Sequence, residues 1–510
     1  MDYTLRQSVV LGLALSFSYL PHTLSACTLK FTSPSNGSTV KQQTITVYGQ
    51  GGADVSAGDH GTVKATVNGK PFLNYSGSFS RATSFLRYRG VSVTLQPGIN
   101  FLQVTGGAGS CSASDSMTIM YDPEVELSKN KGKPNNPGCG PSSAKGNPIN
   151  IAIGNKFQQV VDFSLNGNFP LIFSRFYNSV DGNWRHSYST HLKINSNKAT
   201  LVFSDGKESV FTLSGTTATA NTSELGVLKK ENNQWVYYAT NRIKYAFNDN
   251  GRLAQLTNPQ GSTQTLSYQD KQITVQGEQG QQLILTEDEH YQPVSLSAKG
   301  QQWAYEYNTR HQLITVTHTL ANSTVKTKRY HYEDSRFPTF LTGITDENGV
   351  RFVSWTYDER GRANSSEHAG GKERTEISYN ADGTVTETNA LGKKTIYHFG
   401  VFDGVKRITA IDGEATANCS ASNSRFEYSA KGLLTQKIDN KGVKTSYQYN
   451  AQGLQIEKVE AVDTPQARTT TTEWDTEKRL PLKTSDGQLE TLYQYDEKGQ
   501  LTSKTHQIIQ

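Results

Sequence analysis

Apolar and polar residues alternate along most of this chain with a period of two, in short runs that end at Gly, Asn, Asp or Pro. In "LVFSDGKESVF" (Leu201 to Phe211), Val202, Ser204 and Gly206 fall on one face and Leu201 and Phe203 on the other. Ser204-Asp205-Gly206-Lys207 between the two halves reads as a hairpin turn. Nearer the N-terminus, "TITVYGQ" (Thr44 to Gln50), "VKATVNGK" (Val63 to Lys70), "VSVTLQPGINFLQVTG" (Val91 to Gly106) and "SMTIMYD" (Ser116 to Asp122) have the same period. Strands at such spacing, with Asn-Gly and Pro-Gly at their ends, predict an all-β sandwich over residues 27–122. Residues 123–146, "PEVELSKNKGKPNNPGCGPSSAKG" from Glu124's neighbour Pro123 onward, show no apolar period and read as a linker. A second β domain is expected over 147–240.

From 241 to 510 the alternation is itself periodic. A large aromatic recurs at Phe247, Tyr307, Tyr357, Tyr379, Tyr428, Tyr449, Trp474 and Tyr495. Four residues on there is a glycine at Gly251, Gly361, Gly383, Gly432, Gly453 and Gly499, with His311 and Lys478 in its place in two units. Six residues on comes an apolar residue, Leu253, Leu313, Ala363, Val385, Leu434, Leu480 or Leu501, with Gln455 the exception. Two residues before the aromatic there is usually another large apolar residue, Tyr245, Tyr305, Trp355, Ile377, Phe426, Tyr447 or Tyr493, with none before Trp474. Self-similarity at a fixed spacing outranks local propensity.

This spacing has a physical reason. Residues two apart on a strand share a face, so the paired aromatics make a dry stripe. The four residues that follow form a turn in which glycine adopts positive φ at least cost. The Asp or Asn directly after the aromatic (Asp358, Asn380, Asn450, Asp496) is placed to bond its own turn backbone. The chain then returns with the apolar residue beside the aromatic, and a second turn at Gly392, Gly442 or Gly487 closes the unit. Each unit is a hairpin that buries too little surface alone and needs its neighbours. The fold class is therefore all-β, a sandwich, whose "SPSNGSTV", "TVNGK" and "LQPGIN" resemble bacterial immunoglobulin-like modules, followed by a stacked β-hairpin array.

The repeat elements "YDERGR", "YNADGT" and "YQYDEKGQL" resemble the YD repeat of Rhs proteins. Upstream, the order Gly146-x-Pro-x-Asn, Gly154-Asn-Lys, Asp162-Phe-x-Leu, Arg175-x-Tyr-Asn-Ser and Trp184-x-His-Ser resembles the domain that precedes those repeats, with Asn147 and Ile153 as departures. The resemblance implies a partial Rhs shell: stacked hairpins wound into a strip of sheet around a cavity, in proteins that deliver toxins by contact. Full-length relatives continue into a plug region with an autoproteolytic aspartate motif and a variable toxin. The chain ends at Gln510, so it is expected to be truncated or split before those parts. The expected partners are a second polypeptide completing the shell, or a toxin cargo.

Composition narrows the setting. The 510 residues include 25 tyrosines and only 3 methionines, as half-buried strands would have. Net charge is +5, from 51 basic and 46 acidic residues, without a basic block, which gives no sign of nucleic-acid binding. Residues 1–26 read as a signal peptide, so the protein is expected to be exported to the bacterial cell envelope or secreted. Leu24-Ser25-Ala26-Cys27 also resembles a lipobox, making Cys27 a candidate for lipidation and the one route to a membrane. Cys27 and Cys111 flank the first and last strands of the sandwich and are candidate disulfide partners, which excludes a lipid on Cys27. Cys139 and Cys419 are left open as free or paired.

No catalytic signature, phosphate loop or dinucleotide fingerprint occurs, and neither a cofactor nor a metal is expected. His186 and His191, five apart on an extended chain, point to opposite faces. The repeat tyrosines are read as packing. Glycans stacked on them would make the protein an adhesin instead. The expected function is a non-enzymatic scaffold.

Overall fold

The computed structural model describes residues 27–53, 60–78, 84–96, 98–108, 111–122, 124–134, 140–414 and 422–509. The signal-peptide segment, Cys139 and Cys419 lie outside the described residues. The chain divides into two units after Pro123.

The first unit is a sandwich of two sheets. Thr28–Ser33, Thr44–Ala53 and Ser84–Thr94 form one; Ser38–Val40, Cys111–Tyr121, Gly98–Ala108, His60–Val67 and Lys70–Ser78 form the other. Between them Phe31, Val47, Val93 and Leu95 meet Ala65, Leu102, Val104, Met117 and Ile119 in one core. The first strand lies in the sheet opposite the last. Only its continuation, Ser38–Val40, crosses over and runs parallel to Ile119–Tyr121. The Phe31 amide still reaches across to donate to Asp115 Oδ2 at 2.7 Å. Asn68 (φ 49°) and Gly69 (φ 77°) form the two-residue hairpin turn, where Asn and Gly tolerate the left-handed region.

The second unit contains a small sheet and a very large one. The small sheet runs Trp184–His186, Ile172–Asn178, Asn155–Ser164, Ile149–Asn150, Ala144–Lys145. The large one has 30 strands in strictly sequential order, from His191–Asn195 to Leu501–Ile508. Each strand pairs antiparallel with the next, as at Leu201↔Ser209, Tyr237↔Tyr245 and Tyr447↔Lys458. This ribbon starts well before the domain boundary expected at 240/241. Strands between 191 and 240 alternate but lack the aromatic–turn–glycine signature, so periodicity did not join them to the repeat.

The ribbon coils on itself: the Ser223 amide donates to Asp403 Oδ2 at 2.7 Å, and Leu225 packs on Gly453. The segment read as a linker is a correction too. Its first part is no tether. Leu127–Asn130 is a short helix with Leu127, Lys129 and Asn130 buried. Lys129 Nζ donates to the Asp403 carbonyl (2.8 Å) and carboxylate (3.1 Å), and Asn130 Nδ2 to the Gly404 carbonyl (2.8 Å). Polar residues in the segment read as a linker are here matched by polar groups far along the chain.

Candidate functional site

Each hairpin begins with a local device. At Phe247, Tyr307, Tyr357, Tyr428, Tyr449 and Tyr495 the aromatic pairs with the residue six on, while the residue before it pairs with the residue eight on. One residue is thus extra on the returning strand, a β-bulge that raises local twist. Tyr379 pairs with Val385 without a bulge. Asp358 Oδ1 accepts the amides of Arg360 and Arg362, both at 2.9 Å, and Asn450 Oδ1 those of Gln452 (3.1 Å) and Leu454 (3.0 Å). Gly251, Gly361, Gly383, Gly432, Gly453 and Gly499 have φ between 71° and 85°. His311 takes the same region at 58°. In the Trp474 hairpin the left-handed residue is Arg479 (φ 54°), one beyond Lys478.

The aromatics then tie unit to unit. The hydroxyl of Tyr307 donates to the Pro293 carbonyl (2.8 Å), Tyr357 to Leu341 (2.7 Å), Tyr379 to Ala363 (2.8 Å) and Tyr428 to Ile408 (2.9 Å). Tyr449 donates to Leu434 (2.8 Å), Trp474 Nε1 to Gln455 (2.8 Å) and Tyr495 to Pro481 (2.8 Å). Each acceptor lies near the start of the strand laid down just before. Phe247 has the position without the donor. Tyr268 makes the same bond, to Leu253 at 2.6 Å, and was missed. Its hairpin turns at Asp270 (φ 51°) with no glycine four residues on. Tyrosine followed by a return strand was the signal that remained.

The small sheet packs onto the middle of the ribbon through buried polar residues. Arg175 is fully buried, its Nε 2.5 Å from Asp162 Oδ2 and its Nη2 donating to Tyr330 Oη at 2.8 Å. Its guanidinium faces the rings of Trp184, Tyr305 and Tyr330 at 5.0, 5.2 and 5.4 Å. Burial opposes its charge, but Asp162 and the tyrosines outweigh burial and hold the proton more firmly than usual. Lys156 Nζ donates to the carbonyls of Asn147 (2.5 Å) and Phe157 (2.6 Å) and to Gln158 Oε1 (2.8 Å), 4.0 Å from the Trp355 ring centre. Burial pushes its pKa well down. Tyr177 donates to the Thr339 carbonyl and accepts from the Leu341 amide, both at 2.9 Å.

The histidines take separate roles. His186 Nε2 is 3.1 Å from Glu287 Oε2, and Arg252 reaches the other oxygen at 2.6 Å. His191 Nδ1 donates to the Ser189 carbonyl at 2.8 Å, and its ring stacks on Tyr291 at 4.5 Å. Among the described residues no group of three or more His, Cys, Asp or Glu could hold a metal ion. The Cα atoms of Cys27 and Cys111 lie 5.6 Å apart.

Two family models match. Residues 146–211 match a domain of unknown function, DUF6531, and residues 428–469 match the RHS repeat. Residues 428–469 thus carry an RHS repeat. No curated protein matches it. It is similar to the crystal structure of TcdB2-TccC3 without its hypervariable C-terminal region, at 11% identity and TM-score 0.34, over 91% of this chain and 26% of that one. It is also similar to TcdB2-TccC3 itself (10% identity, TM-score 0.33, 80% and 26% covered). A third likeness is to the Photorhabdus luminescens Tc holotoxin pore (13% identity, TM-score 0.23, 69% and 22% covered). The chain spans about a quarter of the length of these structures. TM-scores this low leave its architecture to be read from the chain itself.

Proposed function

We propose that this Rhs-repeat protein is an exported, non-enzymatic scaffold, forming part of a shell that a second polypeptide completes around a toxin cargo. One observation carries the reading. The aromatic side chains that a binding or catalytic surface would need are spent on holding consecutive strands together, and the buried charges on fixing the small sheet to the ribbon. The same observation counts against the adhesin reading: Tyr305 and Tyr357 are almost wholly buried, and the repeat hydroxyls are already donated to backbone.

The DNA just downstream of codon 510 tests this. A frame encoding further repeats and a toxin-like segment is the expected result, and its product, co-expressed, should be shielded from added protease. An unrelated gene there, together with an unshielded partner, would sink the proposal. For Cys27 we infer the disulfide instead of the lipid, on the strength of the 5.6 Å Cα separation, which lies in the usual range for such bonds. Non-reducing peptide mass spectrometry of the exported protein is expected to find Cys27 linked to Cys111. A diacylglyceryl mass on Cys27 would overturn it.

A further inference from the structure

Two consecutive hairpins turn at the same edge of the ribbon without a glycine. The first turn, residues 288–292, joins the strands Gln282–Glu287 and Pro293–Ala298, and the second, residues 308–312, joins Gln301–Tyr307 and Leu313–Thr319. One side chain sets each turn. Asp288 Oδ1 accepts the amides of His290 (2.8 Å) and Gln292 (2.9 Å), and Asn308 Oδ1 those of Arg310 (3.0 Å) and Gln312 (3.1 Å). Gln292, wholly buried, ties one turn to the other. Its Nε2 donates to Asp288 Oδ2 at 3.3 Å and to the His311 carbonyl at 3.1 Å. The backbone beneath His290 and His311 is thus a fixed frame.

The left-handed residue that most repeat units make a glycine is Tyr291 (φ 62°) in the first turn and His311 (φ 58°) in the second. Tyr291 has a packing reason. Its ring stacks on His191 at 4.5 Å and lies 4.7 Å from the Arg252 guanidinium. His311 is exposed instead, and its ring meets that of His290, with 4.4 Å between centres and 65° between planes. An exposed ring recovers little burial free energy against left-handed strain. Strain held without such a return points to function. His290 is itself in reach of solvent, and Glu289 Oε1 lies 3.5 Å from its Nε2, as a charge neighbour at the same edge.

We propose that His290 and His311 together bind one divalent transition-metal ion, zinc or nickel, through one nitrogen of each ring. Neutral imidazole suits such ions, whereas calcium and magnesium take oxygen ligands. Both side chains reach solvent, so each ring turns about its side-chain bonds to aim a nitrogen at the shared ion. Two protein ligands are fewer than the four of a closed structural zinc site. The ion therefore keeps open positions, filled by water, and binds more weakly than in such a site. It clamps consecutive hairpins at the surface, above the tie that Gln292 makes beneath them. The site stands apart from the scaffold reading and does not depend on what a shell would enclose.

The test is isothermal titration of the untagged full chain with zinc chloride, and separately with nickel chloride, at neutral pH. One ion per chain is expected at saturation. His290→Ala or His311→Gly should each weaken binding at least about tenfold, since even the outer partners of a metal site are worth that much. His311→Gly also restores the residue usual in the repeat and relieves the strained φ, so the metal-free urea midpoint should hold or rise. Zinc should raise that midpoint in the parent protein, by binding the folded state, and leave it unmoved in His311→Gly. His398→Ala, at a histidine paired with Asp412 (2.8 Å) elsewhere on the ribbon, should bind zinc as the parent does. No binding by the parent protein overturns the proposal. So does binding that survives His290→Ala and His311→Gly together, since the ion then sits elsewhere. A metal-free midpoint that falls in His311→Gly while zinc binding persists overturns it too, and leaves the ring pair as a packing contact.

Discussion

The middle of the ribbon and its last hairpins are built from the same unit but differ in what covers it. Around Tyr305, Trp355 and Tyr357 the small sheet lays Arg175, Lys156, Trp184 and Tyr177 against the strands, and those three rings are buried to 3% exposure or less. Around Tyr493 and Tyr495 the rings are only half buried, and the strand beyond them is exposed along almost its whole length. The bond that Tyr495 makes to Pro481 is as short as those in the middle. The repeat therefore supplies register and connectivity everywhere, while stability comes from non-local packing that only part of the ribbon receives. Repeat arrays are nearly sums of neighbour terms; here one stretch has an added term.

The sharpest way to break that contrast is Arg175→Ala. It leaves Asp162 buried without its countercharge and strips the Tyr330 hydroxyl of its donor. Removing one member of a buried pair costs roughly 3–5 kcal/mol, so the urea midpoint of the second unit should fall strongly. Replacing the exposed Arg374, which pairs with Glu367 and Glu376 at the surface, should cost no more than about 1 kcal/mol. Equal losses would mean the small sheet adds nothing to the ribbon.

Next in size is a pair of glycines. A Cβ on Gly361 (φ 73°) would sit 2.9 Å from the Phe340 ring, whereas one on Gly383 (φ 85°) meets nothing within 4 Å. Left-handed strain alone is about 1–2 kcal/mol, and crowding adds about 1–3 kcal/mol. Gly361→Ala should therefore destabilise by about 3 kcal/mol and Gly383→Ala by about 1 kcal/mol, read from the same urea curves.

Acid should weaken the ribbon at its first strand. Burial pushes His191 from its ordinary 6.5 down to about 4, and the nearby Lys193, Arg185 and Arg252 push it the same way against the Ser189 bond. A depressed folded value means the imidazole stays neutral in the native state and takes up a proton on unfolding. Its contribution is complete above pH 6.5 and is lost as pH falls toward 4, at up to about 1.4 kcal/mol per pH unit. His191→Gln should flatten the decline of the unfolding free energy across that window, read from urea curves, by about 2 kcal/mol at pH 5. An unchanged slope would place the acid sensitivity elsewhere.

The all-β class and the hairpin array were legible because both rest on short-range patterns: two-residue alternation, and an aromatic, an Asp or Asn and a glycine at fixed offsets. What the pattern could not reach is long-range. Tyr268 escaped because its hairpin uses a shorter turn, though its hydroxyl does what the others do. Residues 191–240 belong to the ribbon by pairing alone. Lys129, Asn130 and Lys131 look like solvated linker residues until Asp403, Gly404, Asp181 and Glu208 are brought to them by the coil. The carbonyl acceptors were invisible for the same reason: a backbone oxygen has no letter in a sequence.

The smallest effect tests the comparison most directly. Tyr357→Phe and Tyr495→Phe each delete one hydroxyl from bonds of nearly equal length, 2.7 and 2.8 Å. At Tyr357 the Leu341 carbonyl left behind is shut away under the small sheet, near the Tyr177 bond to the Leu341 amide. Water cannot readily replace the donor, and the loss should approach 1.5 kcal/mol. At Tyr495 the ring is half exposed, so water can reach the Pro481 carbonyl and the loss should stay near 0.5 kcal/mol. Native-state hydrogen exchange of the amides flanking each tyrosine reads the two locally, without requiring the unit to unfold as one. If the two losses match, the bond itself carries the stability and burial by the small sheet is incidental. If they differ as expected, the unit is the same throughout and its worth depends on what is laid over it.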